Sequence, residues 1–140
     1  MSLFVVDASV VIKWFVPEIH GDAARRLLEL PHQFVAPDLL FADTANIVWK
    51  KTRRGELTDA EGRQLVGEIN RIAVESVPSR LLAEDAYALT RITGQTVYDA
   101  LYLALAVRLK TQMITADERL IASLVPFREI SPHIASVQAY

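Results

Sequence analysis

Residues 4–11 read FVVDASVV: three apolar residues, an aspartate, two small residues and two valines. An apolar run of this length, followed at once by small and polar residues, predicts a short buried β-strand that gives way to a helix. Asp7 then falls at the point where the strand ends. Because an ionised carboxylate is rarely buried without compensation, we take Asp7 as the first candidate for a functional group.

Three further aspartates stand in equally apolar surroundings. Asp43, Asp99 and Asp117 lie within residues 39–45, 97–103 and 113–118, and no Lys or Arg directly adjoins any of the four. Each has an ordinary explanation, because aspartate is common in turns, at helix caps and on solvent-facing surfaces. The four together predict a shared Mg²⁺ or Mn²⁺ site, since hard cations prefer carboxylate oxygens. Sites of this kind most often perform phosphoryl chemistry.

The pattern around these acids alternates between strand and helix. Strands are predicted at 3–6, 33–36, 73–77, 113–115 and 127–130, and helices at 9–15, 21–30, 37–54, 58–71, 79–92, 98–110 and 117–123. Thr58 and Glu61 form the spacing of a capping box. Alternating short strands and helices predict an α/β fold with a parallel sheet covered by helices. Asp7 and Asp117 then follow strands, at the carboxyl edge where open α/β sheets bind ligands.

Composition bounds the remaining possibilities. The 140 residues suit a single domain spanning 1–140, and the formal net charge of −2 becomes +2 once the four candidate aspartates are set aside, so a nucleic-acid substrate is not excluded. No cysteine is present, which excludes thiol chemistry and disulfides and fits a cytoplasmic location. We expect no signal peptide and no membrane span. The 51% hydrophobic content predicts an apolar interface, hence an oligomer or a stable partner.

One cluster of cations, residues 49–54 with the sequence WKKTRR, follows Asp43 on the same predicted helix. Lys50, Lys51, Arg53 and Arg54 either complement the dipole at the helix end or track the phosphates of a nucleic acid. Both interpretations stay open. Near the start of the chain, the run Trp14-Phe15-Val16 is more apolar than the end of a helix usually requires. We expect it to line a groove for a partner segment.

Several other chemistries lack their motifs. Neither a G-x-G-x-x-G sequence nor a P-loop is present, and the three histidines, expected at the surface, show no metal-binding or triad spacing. Phosphotransfer of the haloacid-dehalogenase type needs a second aspartate two residues after Asp7, where Ser9 stands.

Four stretches, taken in order, resemble PIN-domain proteins of the VapC toxin type. They are residues 4–10, residues 36–40 with Asn46 and Trp49 downstream, residues 98–106 and residues 115–120. The resemblance implies a three-layer α/β/α fold and a Mg²⁺- or Mn²⁺-dependent endoribonuclease that leaves a 5′-phosphate and a 3′-hydroxyl. It also implies a homodimer and a cognate VapB-type antitoxin. An alternative is a PIN-like binding module that acts mainly in its antitoxin complex.

The resemblance also assigns residues. Asp7, Asp99 and Asp117 match the family's characteristic acids, and Asp43 stands where the family usually has glutamate. Asn46 matches a frequent asparagine, and Ser9 and Thr115 match small hydroxyl positions that orient metal ligands.

Overall fold

The computed structural model describes residues 2–140 and contains five parallel strands. The strands are β1 (Ser2–Val6), β2 (His32–Pro37), β3 (Val74–Val77), β4 (Met113–Thr115) and β5 (Ile134–Ser136). Their order across the sheet is β3-β2-β1-β4-β5. The sheet is the middle layer of a three-layer α/β/α arrangement, as parallel strands joined through helices require.

In the part of the chain that the structure describes, seven α-helices connect and cover the strands. They are α1 (Ala8–Phe15), α2 (Gly21–Arg26), α3 (Leu39–Arg53), α4 (Asp59–Ile69), α5 (Ala83–Thr93), α6 (Val97–Arg108) and α7 (Glu118–Leu124). The helix α6 is the most buried, because seven consecutive residues from Ala100 to Ala106 are shielded from solvent. It packs on β1 and β2, while α1 and α3 pack against each other. Within residues 2–140 no helix is long and apolar enough to cross a membrane.

The local sequence signals explain most helix boundaries. Thr58 and Glu61 form the predicted capping box at the start of α4, with hydrogen bonds of 3.1 and 2.9 Å. Gly55 adopts φ +80° just after α3, a conformation that glycine reaches without strain. The boundaries predicted from the sequence for α3 and α4 therefore agree with the structure to within two residues.

Two sequence expectations are wrong. The strand predicted at residues 127–130 is not formed: residues 128–130 form a turn, and the last strand is Ile134–Ser136, which pairs with β4. His32 is not a surface residue: its ring packs against Phe4 and Phe34, with centroids 5.0 and 6.2 Å away, and both ring nitrogens are buried. Both errors arise because tertiary packing, rather than local pattern, decides these positions.

The strand order places a crevice at the carboxyl edge of the sheet. The chain leaves β1 toward β2 on one side and returns to β4 on the other, so the connections diverge between β1 and β4. Open α/β sheets bind their ligands at such a switch point. Asp7 and Asp117 lie one and two residues beyond the ends of these two strands.

Candidate active site

Asp7 is held at the switch point by hydrogen bonds to both of its carboxylate oxygens. Oδ1 accepts from Ser9 Oγ at 2.6 Å and from the Val10 backbone N–H at 3.2 Å, which caps α1. Oδ2 accepts from Thr115 Oγ1 at 2.5 Å. Burial raises the pKa of Asp7 to about 6, although these hydrogen bonds oppose the rise and the nearby Asp99 adds to it.

The hydroxyls of Ser9 and Thr115 tie the ends of β1 and β4 together. Their oxygens lie 3.4 Å apart, and Ser9 Oγ also accepts from the Ala116 N–H at 3.0 Å. Thr115 Oγ1 accepts from the Asp117 N–H at 3.1 Å. A continuous hydrogen-bond chain thus runs from the carboxylate of Asp7 to the backbone of Asp117, which fixes the two acids relative to each other.

Asp99 and Asp117 both lie at the beginnings of helices. Asp99 stands in the first turn of α6, where its N–H donates to Thr96 Oγ1 at 3.2 Å. Asp117 caps α7 and accepts from the N–H groups of Arg119 and Leu120, each at 3.1 Å. The pKa of Asp99 is raised by burial first, and then by the charges of Asp117 and Asp43. Helix capping and proximity to the other acids therefore coexist at these positions.

Asp43 approaches the same region from α3 and has a partner that the sequence did not reveal. Its Oδ2 accepts from Tyr102 Oη at 2.7 Å. Burial raises the pKa of Asp43 and the Tyr102 hydrogen bond opposes this, while burial and the same bond raise the pKa of Tyr102. The sequence analysis treated Tyr102 only as part of an apolar, buried helix and assigned it no role in the site. The available signal was its spacing, three residues after Asp99 on one helical face.

Asp99 interacts electrostatically with each of the other three acids, so Asp7, Asp43 and Asp117 all lie in its neighbourhood. Across residues 2–140, however, no three His, Asp or Glu side chains lie close enough to hold one ion directly. Carboxylates at this spacing leave room for water molecules around a divalent cation. Magnesium usually keeps several waters and binds through one or two carboxylates together with substrate phosphates.

Comparison with known proteins gives the family. The family model of the PIN domain matches residues 4–123 of this chain. The chain belongs to the PIN-domain family. It is 35% identical over 120 residues to Ribonuclease VapC3 of Pyrobaculum aerophilum, covering 83% of this chain and 90% of the relative. It is 30% identical over 118 residues to Ribonuclease VapC9 of Mycobacterium tuberculosis, covering 84% and 88%.

Solved structures share the fold. The crystal structure of PAE2754 from Pyrobaculum aerophilum superposes with a TM-score of 0.68 at 21% identity, covering 99% of this chain and 85% of that one. A toxin–antitoxin complex from Klebsiella pneumoniae gives a TM-score of 0.66 at 16% identity, with 98% of both chains covered. At these identities the likeness establishes the PIN fold.

The basic cluster of this PIN domain is divided between two sides of α3. On one side Arg53 lies over the exposed ring of Trp49, 4.6 Å from its centroid, beside α4. On the other side Lys50, Lys51 and Arg54 face α1. The four cations therefore do not form one continuous patch, because successive residues of a helix point about 100° apart.

Lys51 and Asn46 illustrate the range of exposure among the predicted substrate contacts. Lys51 is 8% exposed and forms an ion pair with Glu18, so it does not belong to the solvent-facing cations. Asn46 is exposed on α3, one turn after Asp43. Of the residues assigned by resemblance, Ser9 and Thr115 are the two whose contacts with Asp7 the structure describes.

Proposed function

We propose that this PIN-domain protein is a metal-dependent endoribonuclease that acts as the toxin of a VapBC-type toxin–antitoxin pair. The observation that carries the proposal is the group of aspartates at the switch point of the sheet, where Asp99 interacts electrostatically with Asp7, Asp43 and Asp117. Burial raises the pKa of three of them, so the fold holds carboxylates in a place that disfavours their charge. A divalent cation would relieve this cost.

Mg²⁺ or Mn²⁺ would be held in the space between Asp7, Asp99, Asp117 and Asp43, with one or two of these carboxylates bound directly and the others reached through the ion's water ligands. When bound, the ion would supply an activated water at neutral pH and stabilise the charge that develops on a phosphodiester. The chain's own residues orient the ligands. Ser9 and Thr115 fix both oxygens of Asp7, and Tyr102 fixes one oxygen of Asp43. Partners of this kind usually matter strongly to metal affinity and activity.

The direct test is cleavage of total RNA and transfer RNA by the purified chain. We expect cleavage with Mg²⁺ or Mn²⁺, none in chelator, and none by Asp7→Asn under any condition. Cleavage that persists in chelator, or that Asp7→Asn retains, would come from another site or a contaminant and would contradict the proposal.

The same proposal includes partners. Ribonuclease VapC relatives and a neighbour solved as a toxin–antitoxin complex support a VapB-type antitoxin, and the 51% hydrophobic content supports a homodimer. Trp14 and Phe15 line an apolar cavity of about 380 Å³ whose rim includes the exposed Leu28 and Leu30. We propose this cavity as the seat of an antitoxin segment. We also propose that residues 1–140 act as a single domain in the cytoplasm.

Leu30→Ser tests the antitoxin seat without disturbing the core, because the side chain is 58% exposed. We expect weaker capture of the co-expressed antitoxin and an unchanged melting temperature. Unchanged capture would place the antitoxin elsewhere. Light scattering tests the dimer separately.

One observation favours a second candidate, a PIN-like module that works through its antitoxin complex with little catalysis. Asp43 is one methylene shorter than the glutamate usual at this position, and it is already bound by Tyr102. An antitoxin complex that binds promoter DNA, together with a free chain that cleaves no RNA, would support this candidate over the nuclease.

A further inference from the structure

Three of the chain's four lysines line one cavity beside the acidic site. Lys13 of α1 and Lys50 and Lys51 of α3 surround a space of about 320 Å³, together with Arg54. The fourth lysine, Lys110, follows α6 and precedes β4, at the opposite edge of the sheet. Such a concentration of one residue type at one place indicates a role for its charge.

The cavity wall carries more positive charge than the protein neutralises. Lys13 Nζ lies 3.1 Å from Glu18 Oε1, and Lys51 pairs with the other oxygen of the same carboxylate. Both lysines are buried, at 7% and 8% exposure, so two ammonium groups share one negative charge in a poorly solvated place. An excess buried charge is costly unless an anion compensates it.

Two further cations stand at the rim and face solvent. Lys50 is exposed, and Arg54 forms an ion pair of 3.4 Å with the exposed Glu56. Exposed pairs of this kind contribute little, and an incoming anion can replace them. Four cations and Glu18 therefore leave a clear excess of positive charge around this space.

The cavity adjoins the acidic site through Ser9. The side chain of Ser9 lines the cavity and also donates to Asp7 at 2.6 Å. On α3, Asp43 and Lys50 are seven residues apart, which places them on one face of the helix about 10 Å apart along its axis. A nucleic-acid strand that extended from the acids along α3 would pass these cations.

We propose that this cavity binds a backbone phosphate of the RNA strand, next to the phosphodiester that is cut. The inference rests on the proposed function. A phosphodiester carries the single negative charge that the Lys13–Glu18–Lys51 group lacks, and chain continuity brings neighbouring phosphates close to Asp7 whenever one is cleaved. Such a contact sets the register of the strand on the protein and carries no sequence information.

Binding without cleavage gives the decisive measurement. The probe is a fluorescent 20-nucleotide single-stranded RNA of random sequence, titrated in chelator and followed by anisotropy. We expect Lys50→Gln to raise Kd about three- to tenfold. The plot of log association constant against log salt concentration should become shallower by about 0.7, the value for one phosphate contact on a single strand. Lys110→Gln is the matched control, and we expect it to leave both quantities unchanged.

For a second variant we expect the opposite change in RNA affinity. Glu18→Gln removes the only acid that lines the cavity within the described chain, so RNA should bind more tightly. Glu29→Gln, an exposed acid just before β2, is its control. Circular dichroism at the assay temperature confirms that each variant is folded, and Lys50→Gln, at an exposed position, carries the test if Glu18→Gln is not.

The outcomes separate this inference from the nuclease proposal. If Lys50→Gln and Lys110→Gln bind RNA alike while the wild type cleaves RNA with Mg²⁺, the phosphate cavity is wrong and the nuclease stands. If Lys50-dependent binding is found and no cleavage occurs with any metal, the nuclease is wrong and phosphate binding is supported. Lys50-dependent binding of polyglutamate, with none of RNA, makes the cavity a protein-docking site and overturns the proposal.

Discussion

Asp7 and Glu18 are both carboxylates near α1, yet the protein treats their charges in opposite ways. Burial raises the pKa of Asp7 to about 6, and its hydrogen-bond donors are hydroxyls and a backbone N–H. Burial also acts to raise the pKa of Glu18, but hydrogen bonds from Lys51 and Lys13 outweigh it and hold that pKa below its usual value. The fold thus places three of its four lysines beside the acidic site and not within it, which leaves the four aspartates for a cation from solution.

The largest effect on RNA cleavage is expected from the loss of a site acid. Asp7→Asn, Asp99→Asn and Asp117→Asn should each lower RNA cleavage by more than the ~10–100-fold that loss of a metal's outer-shell partner costs. Because the acids act on one site, double variants should be little worse than single ones. Single-turnover cleavage rates measure this, with the exposed Asp22→Asn as the control. Near-normal rates in any two of the three would contradict a shared site.

The next largest effect is expected on stability, from the loss of the Glu18 carboxylate. Glu18→Gln leaves two buried lysines without their shared charge and should lower the free energy of unfolding by about 2–3 kcal/mol. This is less than the ~3–5 kcal/mol for a fully buried pair, because 22% of the Glu18 side chain remains exposed. Urea denaturation at pH 7 measures it, and the exposed Glu29→Gln is the control.

The same pair predicts a pH dependence. The pKa of Glu18 is lower in the folded than in the unfolded chain, so its stabilising contribution is present above the ordinary value of 4.5 and is lost as the pH falls through the folded pKa. The stability difference between wild type and Glu18→Gln should therefore shrink below pH 4.5. A difference that stays constant down to pH 3 would mean that Glu18 contributes through packing and not through charge.

A smaller effect is expected at the outer edge of the acidic site. Tyr102→Phe removes the hydroxyl that fixes Asp43 and should lower cleavage about tenfold, within the range for outer-shell partners. Tyr87→Phe is a matched control, since Tyr87 is 59% exposed on α5. Equal rates for the two variants would mean that Asp43 needs no positioning and that its side chain lies outside the reaction.

The sequence predicted the acids better than it predicted what holds them. Asp7 and Asp117 could be placed at one sheet edge, because strand ends and helix starts follow from local patterns. Ser9 and Thr115 were assigned by resemblance; Ser9 is only two residues from Asp7, but Thr115 contacts Asp7 and Ser9 across 108 and 106 residues of sequence. Tyr102 was missed for the same reason, because its bond to Asp43 joins two helices 59 residues apart.

The cations show the same limit in a different form. Residues 49–54 read as one basic patch, but helical geometry divides them between two sides of α3. Lys13, far away in sequence, joins three of the four cations, Lys50, Lys51 and Arg54, in the cavity. The last strand was misplaced because the apolar Phe127 and Ile130 suggested a short strand between them, whereas pairing with β4 selects Ile134–Ser136. Local pattern fixes elements, and long-range contact selects among them.

The smallest expected effect concerns Asp99, which is coupled to all three other acids. Two influences oppose each other there. The beginning of α6 favours a negative charge by about 0.3–1 kcal/mol, whereas burial and the charges of Asp117 and Asp43 disfavour it. The pKa of Asp99 is raised, so the unfavourable influences dominate. Removing the charge should therefore stabilise the metal-free protein, and Asp99→Asn in chelator should melt a few degrees above wild type.

Added Mg²⁺ completes the test, because an ion that binds only the folded state stabilises it by mass action. Mg²⁺ should raise the melting temperature of wild type strongly and that of Asp99→Asn much less. Thr96 caps α6 in both proteins, so the helix end itself is unchanged and the variant isolates the charge. If Asp99 served only the first turn of α6, Asn would cost a small amount of stability and Mg²⁺ would act equally on both proteins. Coincident melting curves in chelator and again in Mg²⁺ would mean that the four aspartates do not share a site, and the nuclease proposal would lose its physical basis.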